Sequence, residues 1–151
     1  MSDHPIAARW RAIRGNAGAQ RAALIPYLTA GFPTPELSLQ ALRRVAAAGA
    51  DFVEVGVPFS DPLADGPTIQ RSTQAALDQG MTVPRVLDQI RRAAVEIPVV
   101  VMTYLNPLMA FGLERFVREA AAAGVSGCCS PTFPPARIPP SRQWCRRARS
   151  R

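Results

Sequence analysis

The feature that most constrains this chain is a regular alternation of short apolar runs with helical periodicity. Residues 24–29, 52–57 and 98–103 are apolar runs bounded by glycine and proline, and 125–127 opens a fourth. Runs of this length with such borders predict strands. The run at 98–103 is continuous in Val and Met, as expected of a strand buried on both faces. Between the runs, apolar residues recur at helical spacing. Leu39, Leu42, Val45 and Ala46 share one face after a start at Thr34-Pro35, with Gly49 as the stop. A helix is predicted over 68–78, closed by Gly80. Another follows a cap at Thr82, with Val83, Val86, Leu87, Ile90 and Ala94 on one face. Leu113, Phe116, Val117, Ala120 and Ala121 mark the next helix, ended by Gly124. A short amphipathic helix over 3–14 carries Ile6, Trp10 and Ile13. The order β-α-β-α-β-α-β implies parallel strands joined by right-handed crossovers. An α/β barrel and a doubly wound sheet both fit. No G-x-G-x-x-G follows the first strand, which weighs against a dinucleotide fold. A full eight-stranded barrel takes ~250 residues; this chain of 151 supplies three complete units and the start of a fourth.

Composition removes several chemistries. All 18 basic residues are arginines, so a Walker-A lysine and Schiff-base catalysis by lysine are excluded. The one histidine is His4, which argues against Ser-His-Asp or Cys-His catalysis and a histidine-built zinc site. No apolar run approaches the roughly 18 residues of a membrane span, and the N-terminus, with Asp3, Arg9 and Arg11, lacks a signal-peptide core. The expectation is a soluble, cytoplasmic protein.

The net charge of +7 divides unevenly. Residues 1–127 hold 12 Arg against 11 acids, whereas 128–151 hold 6 Arg and no acid. That last stretch also has all three cysteines, five of the 15 prolines and none of the ten glycines. The chain therefore reads as a folded unit over 1–127 and an irregular, disordered Arg/Pro-rich tail over 128–151. Such a composition is what a shifted reading of GC-rich coding sequence yields. The alternative is an arginine-rich arm for nucleic acid or an acidic surface, in which Phe133 and Trp144 stack weakly. Adjacent Cys128 and Cys129 with Cys145 are poor chelate spacing, so free thiols are expected and no metal site.

The most informative segment runs from Phe52 to Pro67. Strand alternation puts Phe52 and Glu54 on one face, Val53 and Val55 on the other. In a barrel Glu54 points inward near the C-terminal end of its strand, where barrel enzymes hold their chemistry. Apolar neighbours there raise a carboxylate's pKa into the range useful to a general acid or base. Asp61 and Asp65 lie on the loop above it. The plain alternative is a satisfied buried acid at Glu54, a turn residue at Asp61 and a helix cap at Asp65.

These residues carry a resemblance. The run Glu54-Val55-Gly56-Val57-Pro58-Phe59-Ser60-Asp61-Pro62 with Asp65-Gly66-Pro67 resembles the signature of the tryptophan synthase alpha family. The segment from Leu24 to Gly31 resembles that family's first strand, and Met102-Thr103-Tyr104-Leu105-Asn106-Pro107 its third strand and following loop. The resemblance implies an α/β fold that is a partial TIM (β/α)8 barrel, about its first three to four units. It implies cleavage of indole-3-glycerol phosphate to indole and glyceraldehyde 3-phosphate, with Glu54 as acid/base and Asp65 as the carboxylate that accepts the indole N–H. Tyr27, Met102 and Tyr104 match pocket positions around the indole; otherwise they read as core. Pro58, Asp61, Pro62, Asn106 and Pro107 match loops facing a beta subunit, and pyridoxal phosphate belongs to that partner, so no cofactor is expected here. The family's later strands, with the loops that bind the substrate phosphate, find no match after Gly127. The expectation is a chain inactive alone; the alternative is a non-catalytic fragment that docks on the beta subunit.

Overall fold

The computed structural model describes residues 4–15 and 21–130. The tail from 131 onward, with Phe133, Trp144 and Cys145, lies outside the described residues. The elements are α1 (Pro5–Arg14), β1 (Tyr27–Thr29), α2 (Pro35–Ala47), β2 (Val53–Gly56), α3 (Pro67–Asp78), α4 (Val83–Ala93), β3 (Val99–Met102), α5 (Leu105–Phe111), α6 (Leu113–Ala122) and β4 (Val125–Cys129).

The four strands pair in parallel in the order β1-β2-β3-β4. A doubly wound sheet reverses direction after its first strand and places that strand inside. Here the order climbs steadily from one edge, as around the wall of a barrel. The chain is therefore α/β, with the first four strands of a TIM barrel. Tyr27, Glu54 and Val100 align across the first three strands, and Gly56, Met102 and Cys129 across the last three. Between β3 and β4 the register slips, so Val99 faces Val125 while Val100 faces Gly127. Ser126 is thus the extra residue of a bulge.

Side chains alternate across this sheet. Val53, Val55, Val99 and Val101 point to the helical layer and are at most 3% exposed. They pack with Leu39 and Leu42 of α2, Val86 and Ile90 of α4, and Phe116 and Ala120 of α6. The other face carries Tyr27, Thr29, Glu54, Val100, Met102 and Cys129. Helix α1 closes the N-terminal end of the strands. Trp10 stacks on Phe52 with ring centroids 5.2 Å apart, and Ile6 presses on Gly127. Asp51, wholly buried, accepts from Arg9 at 2.8 Å, from Arg21 at 2.5 and 2.6 Å, and from the Leu24 N–H at 2.9 Å.

Several local expectations change. The first strand shortens to three residues, because Pro26 has no N–H to give the ladder. The chain still runs beside β2 from Leu24, whose carbonyl accepts from Asp51. Thr34 caps α2 through its hydroxyl, 3.2 Å from the Leu37 N–H, but Thr82 makes no such bond at α4. Ala93, not Ala94, takes the buried position at the end of α4; Ala94 turns left-handed with φ 50°. Asp65 does not cap α3, whose N-cap is Gly66. The loop expected at Asn106-Pro107 is the first turn of α5. The fourth strand runs through Cys128 and Cys129, two residues past Gly127.

Candidate active site

A small cleft opens at the C-terminal ends of β1, β2 and β3. It is lined by Tyr27, Val57, Asp65, Thr73, Met102, Thr103 and Tyr104. Parallel strands deliver these residues from three separate segments, and the loop 57–66 bends Asp65 back over them. Tyr27 comes from β1 and Met102 from β3. Tyr104 is the N-cap of α5 and is 5% exposed. Thr73 reaches in from α3, beside Ser72, whose hydroxyl pairs with that of Thr29 at 2.8 Å.

Glu54 stands beside Tyr27 in the register, on the inner face. It is the second residue of a four-residue strand, two residues before its C-terminal end, with Asp65 on the loop that follows. It is half-buried, and its carboxylate has no hydrogen-bond partner among the described residues. Burial, above all, pushes the Tyr27 phenol above its ordinary range; a hydrogen bond with Thr29 opposes this, and the charges of Asp65 and Glu54 add to the rise. Burial likewise pushes the Cys129 thiol up, with the charge of Glu54 adding to it. Glu54 and Asp65 thus act on one phenol from two heights.

The five residues matched to partner contacts separate into two segments. Pro58, Asp61 and Pro62 lie on the loop after β2; Pro58 is buried and Asp61 exposed, its carboxylate accepting from the Ser60 hydroxyl. Asn106 and Pro107 form the first turn of α5. Tyr104 touches the first segment and begins the second: its ring lies 5.4 Å from that of Phe59, and its hydroxyl accepts the Ala64 N–H at 2.9 Å. Among the described residues no three His, Cys, Asp or Glu side chains gather as a metal site, and no helix is long and apolar enough to cross a membrane. Cys128 and Cys129 form no disulfide.

The family model of the tryptophan synthase alpha chain matches residues 15–149. The chain belongs to the tryptophan synthase alpha family. The alpha chain of Nitratidesulfovibrio vulgaris strain DP4 is 52% identical over 126 residues, covering 82% of this chain and 49% of the relative. That of Aromatoleum aromaticum is 52% identical over 118 residues, covering 76% and 44%. The crystal structure of tryptophan synthase subunit alpha from Legionella pneumophila superposes with a TM-score of 0.77 at 36% identity, covering 83% of this chain and 49% of that one. A chain of tryptophan synthase from Mycobacterium tuberculosis gives 0.72 at 41% identity, covering 85% and 50%. The chain spans about half the length of the tryptophan synthase alpha relatives it matches. The family is one of lyases that serve tryptophan biosynthesis.

Set against the tryptophan synthase alpha motifs, the sequence reading located Tyr27, Asp65, Met102 and Tyr104, which the structure gathers in one cleft. It missed Thr73, Thr103 and Phe59. Thr73 could have been found from its helical spacing with Ile69 and Ala76, which turns a hydroxyl to the inner side of α3. Phe59 gave no signal, since an aromatic between two prolines reads as loop.

Proposed function

We propose that this chain carries the indole-binding and acid–base part of a site that cleaves indole-3-glycerol phosphate to indole and glyceraldehyde 3-phosphate. The observation that supports this most is the convergence of Asp65, Tyr27, Met102 and Tyr104 on one cleft, with Glu54 beside Tyr27 on the adjacent strand. In this reading the indole lies between Tyr27, Met102 and Tyr104. Asp65 accepts the indole N–H and stabilises the positive charge that grows there as the ring is protonated. Glu54 delivers a proton to the indole ring carbon and takes one from the glycerol hydroxyl. The carbon–carbon bond between ring and side chain then breaks, leaving indole and the aldehyde.

Among the described residues no cation lines the cleft. The substrate phosphate therefore needs backbone N–H groups or charge from elsewhere, and the chain alone is expected to release no measurable indole. Pro58, Asp61, Pro62, Asn106 and Pro107 form the docking surface for a beta subunit, which carries the pyridoxal phosphate; this chain's part of the chemistry calls for no cofactor. The compartment is the cytoplasm.

Indole binding tests the reading without turnover. Titrated indole is expected to shift the Met102 methyl signal, and Asp65→Asn to weaken binding roughly tenfold, the worth of one charge-assisted hydrogen bond. A Met102 signal that ignores indole, or an affinity that ignores Asp65→Asn, would overturn the site. Turnover of indole-3-glycerol phosphate that disappears in Glu54→Gln would overturn the expected inactivity. Co-purification with a beta subunit, lost in Asp61→Ala, tests the docking surface.

A further inference from the structure

We propose that Tyr104 is a positioning residue, whose hydroxyl clasps the loop after β2 and thereby sets where the Asp65 carboxylate stands. The inference rests on the role given to Asp65 above, and assigns the Tyr104 hydroxyl a task beyond the ring's contact with the indole.

The loop 57–66 has little to hold it. Pro58 and Pro62 have no N–H. Of the loop's other amides between Pro58 and Gly66, only that of Ala64 has a hydrogen-bond partner among the described residues, and the partner is the Tyr104 oxygen at 2.9 Å. Ser60, Asp61, Leu63 and Ala64 are exposed, so packing does not replace the missing bonds. The Tyr104 ring meets Phe59 near the start of the loop, and its hydroxyl meets Ala64 near the end. One buried side chain, fixed at the head of α5, thus holds both limbs.

Asp65 follows Ala64 directly. The bond to Tyr104 fixes the peptide plane on one side of it. On the other side, the Asp65 carbonyl accepts from Gln70 Nε2 at 2.9 Å. With both flanks held, the carboxylate is aimed into the cleft beside Tyr27. Without the hydroxyl, only the Gln70 tether remains.

Tyr104→Phe deletes the clasp and keeps the ring on Phe59. Amide hydrogen exchange on the full chain reads the tether directly. Exchange at Ala64 is expected to rise about tenfold, as for loss of one net hydrogen bond, while the amides of β3 stay protected. Unchanged exchange at Ala64 would overturn the clasp. If the β3 amides open as well, the variant has lost its fold, and Phe59→Leu replaces it: unseating the ring is expected to speed exchange at Ala64, and no change there overturns the proposal. A double-mutant cycle with indole then separates positioning from contact. Tyr104→Phe is expected to weaken indole binding several-fold in the parent chain and to add nothing in an Asp65→Asn background. Additive losses would mean that the Tyr104 hydroxyl acts on the ligand itself and not through Asp65, and would overturn the positioning role. If indole does not bind the parent chain, the proposed function falls, while the exchange experiment still decides the clasp.

Discussion

The ring of Tyr27 lies directly over Gly56 on the adjacent strand, so that a Cβ at residue 56 would occupy the space of the phenol oxygen and ring edge. Tyr27 is one of the two tyrosines that line the cleft, and the missing side chain of Gly56 is its seat. Gly56→Ala is expected to expel the ring, destabilise the chain by about 1–3 kcal/mol as overpacking does, and abolish the indole-induced shift at Met102. Urea unfolding and the indole titration check the two effects separately.

Asp51 supplies an acid-sensitive contact far from the cleft. Its hydrogen bonds from Arg21, then the Leu24 N–H, hold the carboxyl well below the usual carboxylate range. A depressed folded pKa contributes stability that is fully present above the unfolded value of about 3.9 and is lost as pH falls below it. The urea midpoint of the parent chain is expected to drop between roughly pH 4 and pH 2. In Asp51→Asn the midpoint is lower at neutral pH, and its fall across that window is shallower. Equal slopes in the two chains would refute the assignment.

Ala94 ends α4 in the left-handed conformation, with its N–H on the Ile90 carbonyl at 3.3 Å. An L-residue there costs about 1–2 kcal/mol, of which the greater freedom of unfolded glycine returns part. Ala94→Gly is therefore expected to stabilise by about 0.5–1 kcal/mol. Thermal melting of the two chains checks the sign.

Ile90 and Leu63 provide a contrast in burial. Ile90 is 2% exposed between α4 and the sheet, whereas Leu63 is 85% exposed on the loop after β2. Ile90→Ala is expected to cost about 2–5 kcal/mol, transfer and cavity together, and Leu63→Ala less than about 0.5 kcal/mol. Denaturant midpoints of both variants test this.

The central sheet was legible because its rules are local. Val53 and Val55, Val99 and Val101 announce themselves as apolar runs, and Gly49, Gly80 and Gly124 mark the turns that follow three helices. Alternation within the second strand likewise separates Glu54 from Val53 and Val55, whereas its alignment with Tyr27 and Val100 on one face follows from the register of the assembled sheet. Helix α5 was not legible: Pro107 reads as a breaker, yet it occupies the first turn, where a helix has no use for its N–H. The bond from Ala64 to Tyr104 spans 40 residues, and no pattern in either segment foretells it. The barrel also could not be told from a doubly wound sheet by periodicity, since strand order is a property of the assembled sheet.

Helix α1 has a consequence for the order of events during synthesis. Its partners are Asp51 for Arg9, Phe52 for Trp10 and Gly127 for Ile6. Helix α1 thus cannot complete its docking before residue 127 has been made, because its final contact lies more than a hundred residues downstream. Until then Ile6 waits in solvent on a ten-residue helix too short to persist alone, and the loop it must close carries the entropy of nearly the whole described chain. Docking of α1 is therefore the step at which a nascent chain learns that its fourth strand is in place.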